Sequence, residues 1–269
     1  ILMLGVYVEI FKPALYYQNT RGMEISEFNQ TGVFGNAEGF AGRFSYGVFS
    51  GPRTSSIFLE QVGLANFCTV SGVYFMLFQA KLSNRVKIFF ISLIILICLS
   101  NETRVGSFIA LVLFVIGLCK AYIPAYSNLL VPLAVLLIGL FITGFWGEAT
   151  GDNFLGRINL SFGHFVDLDI LDYLGLGVLK INQLWDSGFG YLFASYTVFG
   201  GTVFICFTLF ILKQISIESR LCALGLSIYV FVNLMIGGNA IYSIKTAALL
   251  WLLVGFIYNS ELKKMSHGF

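Results

Sequence analysis

The stretch from Ala125 to Trp146, AYSNLLVPLAVLLIGLFITGFW, runs for 22 residues without a charge. At 1.5 Å of rise per residue such a helix reaches about 33 Å, close to the thickness of a bilayer's hydrocarbon core. Its apolar residues do not alternate, so it reads as a helix crossing lipid and not as a strand of an outer-membrane barrel. Seven further apolar runs lie near 1–17, 56–79, 87–101, 104–119, 188–212, 220–237 and 241–259. The chain is therefore expected to be all-α, a polytopic helical membrane protein of about eight transmembrane helices. Two long polar segments, 18–55 and 147–187, separate the runs and are expected to carry short surface helices.

Composition agrees. The chain is 57% hydrophobic and 11% charged, where a soluble domain carries about 25% charge. Its 28 Phe and 13 Tyr suit lipid-facing and interfacial positions. Cys68, Cys98, Cys119, Cys206 and Cys222 fall in or beside apolar runs and read as small core residues. Two histidines are too few for a His-based metal centre, and no metal or other cofactor is expected. The sequence opens at Ile1 inside an apolar run, so it is read as lacking several N-terminal helices. No composition shift divides residues 1–269, which read as one domain.

Lysine and arginine set the orientation. One set of short loops holds Lys81, Arg85, Lys87, Lys120, Lys213, Arg220, Lys263 and Lys264 against the acids Glu218 and Glu261. That side is expected to be cytoplasmic. The other side holds most of the acids and Arg21, Arg43, Arg53, Arg104 and Arg157. Arginine offers phosphate a two-pronged bond where lysine offers a point charge. Arginines gathered outside therefore point to an anion presented from the membrane.

Arg43 and Arg53 flank Gly47, Gly51 and Pro52 just before an apolar run, where they either hold that anion or snorkel at the interface. Ser100-Asn101-Glu102-Thr103-Arg104 joins two short runs and so is expected below the membrane surface. Burying Arg104 there costs about 2.5–3.5 kcal/mol, which calls for a partner or a polar cavity. Glu102 is the near partner, and a bound phosphate is the alternative. The segment 147–187 interleaves Arg157, His164, Asp167, Asp169, Asp172, Lys180 and Asp186 with apolar residues, as a segment folded on the membrane surface would. Asp167-Leu168-Asp169 reads as a solvated face before it reads as a metal site, and His164 as an incidental loop histidine before a base. Gly237-Gly238-Asn239 reads as a tight external turn, with Lys245 a turn into the next helix, either snorkelling or adding to the external positive site.

Three sets of residues carry a likeness. Arg43-x-x-x-Gly47-x-Phe49-x-x-Pro52 opens a helix, and Ser100-x-x-x-Arg104 sits in a shallow turn. A long external segment opens with Arg157 and closes with Leu174-Gly175-Leu176-Gly177, Asp186-Ser187-Gly188-Phe189-Gly190-Tyr191-Leu192 and Phe199-Gly200-Gly201. From about residue 1 to residue 259 this order resembles the O-antigen polymerase family and the related O-antigen ligases. The resemblance implies a metal-independent glycosyltransferase of the bacterial inner membrane, working at its periplasmic face. Its substrate would be an oligosaccharide on undecaprenyl pyrophosphate. Membrane lipid and a polysaccharide chain-length regulator would be partners, and nucleic acid would not. Ligases of this superfamily show a His-Asn pair where this chain has Asp186-Ser187, which favours a polymerase. The family's spacing from Arg to Gly is met only loosely, by Arg53 and Gly63. On this reading Arg43, Arg104 and Arg157 clamp the pyrophosphate, with Arg53 and Lys245 beside them. Asp186, and after it Glu102, would orient or deprotonate the acceptor hydroxyl. A ligase acting on lipid A-core is the alternative, and a lipid-linked oligosaccharide flippase or small-solute transporter is the non-enzyme one. A transporter carries polar residues through the depth of its helices. The runs here look nearly clean apart from Glu60, Gln61 and Asn66.

Overall fold

The computed structural model describes residues 61–101, 104–118, 123–145, 154–177, 181, 184, 187–236, 241 and 246–266. Among them every regular element is helical. In chain order these are α1 (Gln61–Phe78), α2 (Asn84–Asn101), α3 (Arg104–Leu118), α4 (Leu130–Phe145), α5 (Phe154–Val166), α6 (Ile170–Tyr173), α7 (Gly188–Phe210), α8 (Ile217–Ile236) and α9 (Ala247–Ser266). Among the described residues three helical stretches are long and apolar enough to cross a membrane: Ser127–Phe145, Gly188–Phe210 and Ile217–Ile236. The fold is thus helical and suited to a bilayer. The expected run at 1–17, the polar segment 18–55 and the turn at 237–239 lie outside the described residues.

These residues group into two compact units. The first holds α1 as far as Gly72, then the chain from Phe78 to Val112. A turn of 3₁₀ helix at Gln79–Lys81 ends α1, and Lys81 places its ammonium 5.6 Å from the centre of the Phe78 ring. Ser83 starts α2, accepting from the Val86 and Lys87 amides through its side chain and its carbonyl. That satisfies donors which the helix itself leaves open. Ile88, Phe89 and Ile95 are exposed along α2 while Ile97 is buried, as on a helix facing lipid over most of its girth. α2 ends at Asn101 and α3 begins at Arg104, so Ser100, Asn101 and Arg104 of the expected turn are helical, and Glu102 and Thr103 lie outside the described residues.

The second unit holds residues 73–77 and everything from Leu113 onward. Its centre is α8. Of this span 89% is buried, against 22% and 28% for the spans at α4 and α7, so α8 is the core and the other two face outward. Small residues let neighbours close on it. Gly225 receives Val73, whose side chain lies 2.8 Å from where a Cβ would stand. Outward, Leu133, Leu137, Phe141 and Phe145 recur every fourth residue of α4 and are all exposed. An apolar stripe that faces away from the core is what a lipid solvent permits.

Polar joints lock this unit. Asn128 donates from Nδ2 to the Leu209 carbonyl (2.9 Å), accepts at Oδ1 from Gln214 (2.8 Å), and its own carbonyl accepts from Ser227 Oγ (2.9 Å). Gln214 in turn accepts from the Tyr126 amide, and its carbonyl accepts from Arg220 Nε. Asn128 and Gln214 are buried with these bonds made, and leaving such groups unpaired would cost about 1–3 kcal/mol each.

Three expectations need correction here. The span expected at 241–259 is helical over Ala247–Ser266, since Glu261, Lys263 and Lys264 continue the helix instead of forming a tail. Glu261 is not a loop acid: it is buried and accepts the Ile215 amide at 3.1 Å. A carboxylate at that point faces the positive end of α8, which starts two residues later. The cysteines also divide. Cys68 and Cys222 are buried as expected, but Cys206 is exposed on α7, and none of the three is in a disulfide.

Candidate functional site at the C-terminal end of the central helix

α5 folds against the end of α8 that carries Leu234, and α6 packs on α7. α5 is partly buried, and the residues it leaves exposed are apolar. Ile158, Ser161 and Phe162 are fully buried, while Leu155, Leu160 and Val166 are exposed. The Phe162 ring lies flat on Gly139 of α4, so close that a Cβ there would overlap it. Phe162, Phe165, Tyr173, Phe189 and Phe193 form a connected aromatic cluster with centroid separations from 5.5 to 6.4 Å. Fully burying a side chain of this size contributes about 1.5–3 kcal/mol.

Ser187 ties α5 to α7. It is the N-cap of α7 and accepts the Gly190 amide at 3.1 Å. Its hydroxyl also donates to the Ser161 carbonyl at 2.6 Å, and the Ser161 hydroxyl donates to the Leu234 carbonyl at 3.3 Å. Gly188 follows because the Leu234 backbone leaves no room for a Cβ. Three elements thus meet through two serines and a glycine.

On this platform Arg157 and His164 are both half-buried. Asp167 and Asp169 are exposed, as a solvated face requires. Asp172, by contrast, is only 2% exposed and accepts the Asp169 amide at 2.9 Å through Oδ2. Its role is structural, at the start of α6. Tyr173 donates to the Phe165 carbonyl at 3.2 Å. Burial, and then the Asp172 charge beside it, push its phenol above the ordinary range and keep it a donor. Among the described residues no group of three His, Cys, Asp or Glu side chains is placed to hold a metal.

Of the residues expected to act, Arg157 stands on the packed α5 and Arg104 opens α3. Arg43, Arg53, Glu102, Asp186 and Lys245 lie outside the described residues; α9 begins at Ala247, after Lys245. Charge is distributed unevenly along α8. Arg220 sits at its start, and Glu261 brings the end of α9, with the exposed Lys263 and Lys264, to the same place. Arg157, His164, Asp167 and Asp169 belong to the segment at the other end.

Sequence reasoning missed the buried polar residues Asn128, Asn233, Gln214, Glu261, Ser161 and Ser187. Only Ser187 carried a local signal, a serine directly before a helix that opens with glycine. No protein-family model, curated protein or solved structure matches this chain.

Proposed function

We propose that the chain is a membrane glycosyltransferase of the O-antigen polymerase type, working on the external face of the bacterial inner membrane. A sugar chain held by undecaprenyl pyrophosphate passes to a hydroxyl of the next lipid-linked unit. The new glycosidic bond forms at the anomeric carbon as its bond to the pyrophosphate oxygen breaks. Undecaprenyl pyrophosphate leaves, and the hydroxyl proton goes to a carboxylate, with Asp186 first and Glu102 second in line. Arg43, Arg104 and Arg157 take up the leaving group's charge, with Arg53 and Lys245 near them. Preorganised cations in a water-poor site stabilise such charge strongly.

The observation that carries this reading is the position of Arg157. It stands on a helix packed at one end of α8, while Arg220, Lys263 and Lys264 gather at the other. The bias of positive charge toward the cytoplasm supports taking the Arg157 end as the external one. The state of the buried polar groups adds support over a transport reading. Asn128 and Gln214 are spent on each other and on backbone, and Asn233 donates to the Tyr229 carbonyl of its own helix at 2.7 Å. Groups so engaged do not line a path for solute.

The test is polymer length in membranes carrying Arg157→Lys. Shortened polymer at unchanged protein abundance supports the proposal. Normal polymer removes Arg157 from the clamp, because lysine cannot replace a two-pronged bond.

A further inference from the structure

The segment after α5 does not stay at one level of the bundle. It follows a single stripe of α7, whose members are four residues apart. Phe165 packs on Phe189 and Phe193 at 5.8 and 5.6 Å, and Tyr173 packs on Phe193 at 6.1 Å. Gly175 then reaches Thr197: a Cβ at Gly175 would stand 2.9 Å from the Thr197 methyl. Thr197 is nine residues into α7, about 13 Å from its start, at the kink that divides this 23-residue stretch.

We infer that residues 170–176 form a re-entrant turn that dips into the hydrocarbon of the leaflet at the Arg157 end, with Ile170, Leu171, Leu174 and Leu176 lying against lipid acyl chains. Three features fit this placement. These four side chains are 59–77% exposed, which in water would be an apolar patch without cover. The patch continues onto α7, where Val198 and Phe199 face outward from a membrane-length helix, Phe199 at 80% exposure. Lipid that faces α7 there therefore meets the turn as well. Much of the backbone of the turn is also paired from within. The Asp169 amide donates to Asp172, the Gly175 amide to the Asp172 carbonyl, and the Leu176 amide to the Leu171 carbonyl. With Gly175 at φ +79° this closes the helix end in the manner that glycine favours. Irregular backbone is tolerated at membrane depth where protein covers it, as Thr197 covers Gly175 and Asp172 covers Gly177. Asp167 and Asp169, both exposed, then mark the waterline.

The inference rests on the membrane reading alone and holds whatever reaction the chain performs. Its test uses the full chain in vesicles of lipid brominated on the acyl chains, with tryptophan placed by Leu174→Trp and Leu176→Trp, and by Asp167→Trp for comparison. The added emission at 174 and 176 should be largely lost to bromine and little affected by acrylamide in the water. At 167 the pattern should reverse. Quenching at 174 and 176 by acrylamide and not by bromine would overturn the inference in favour of a water-facing turn. Quenching by neither would overturn it in favour of cover by protein. A tryptophan variant that fails to insert is replaced by a spin label at the same position, where faster relaxation by oxygen than by an aqueous nickel chelate is the expected result and the opposite is fatal.

Discussion

Thr197 lies against Gly175, and both have positive φ, 62° and 79°. Only one of them is a glycine. With ψ at 169°, Thr197 occupies a region that is nearly reserved for glycine and costs about 1–3 kcal/mol. Its hydroxyl recovers part of that by accepting the Gly200 amide at 3.4 Å, where α7 restarts after a kink.

The two replacements of Thr197 should therefore differ in sign. Thr197→Ala keeps the strain and loses the cap, and is expected to lower stability by about 0.5–2 kcal/mol. Thr197→Gly removes the strain and should be at least as stable as the parent. Thermal unfolding in detergent micelles separates them, and an alanine variant more stable than the glycine one would contradict the strained kink.

Ser187 holds both the start of α7 and the carbonyl of Ser161. Ser187→Ala should cost about 1–2 kcal/mol, since the helix cap and a buried bond go together. Ser161→Ala leaves the carbonyl that Ser187 uses and should cost less. The comparison is a pair of melting curves, and equal losses would argue against the Ser187 junction.

Phe162 on Gly139 is a matched pair. Phe162→Ala is expected to cost about 3–5 kcal/mol and Gly139→Val about 1–3 kcal/mol, from a cavity and from overpacking. The double variant should be more stable than the sum of the two predicts, because the valine fills what the ring vacates. Strict additivity would mean that the two residues do not touch.

Much of the fold is legible as apolar runs. α2, α4, α7 and α8 fall within a few residues of 87–101, 125–146, 188–212 and 220–237. The end of α9 is not legible, because Glu261-Leu262-Lys263-Lys264 looks like a polar tail while its residues are all good helix formers. The packed segment around Arg157 follows from its interleaved apolar residues, and the exposure of Asp167 and Asp169 from their alternation. The Asn128–Gln214 and Ser161–Ser187 bonds join residues 86 and 26 positions apart. No local pattern announces them, and the helices look cleaner in sequence than they are.

Asp186→Asn keeps shape and removes basicity. It is expected to shorten polymer sharply at unchanged protein abundance, read on polysaccharide gels beside an immunoblot. Normal polymer in Asp186→Asn with loss in His164→Ala would move the base to the histidine.

Reconstitution tests the central claim most directly. The full chain, purified into vesicles, is given a repeat unit linked to undecaprenyl pyrophosphate and no divalent metal. The account predicts a ladder of lengthened lipid-linked chains, with one undecaprenyl pyrophosphate released per bond formed. Substrate that stays intact, or that crosses the bilayer without lengthening, would contradict it.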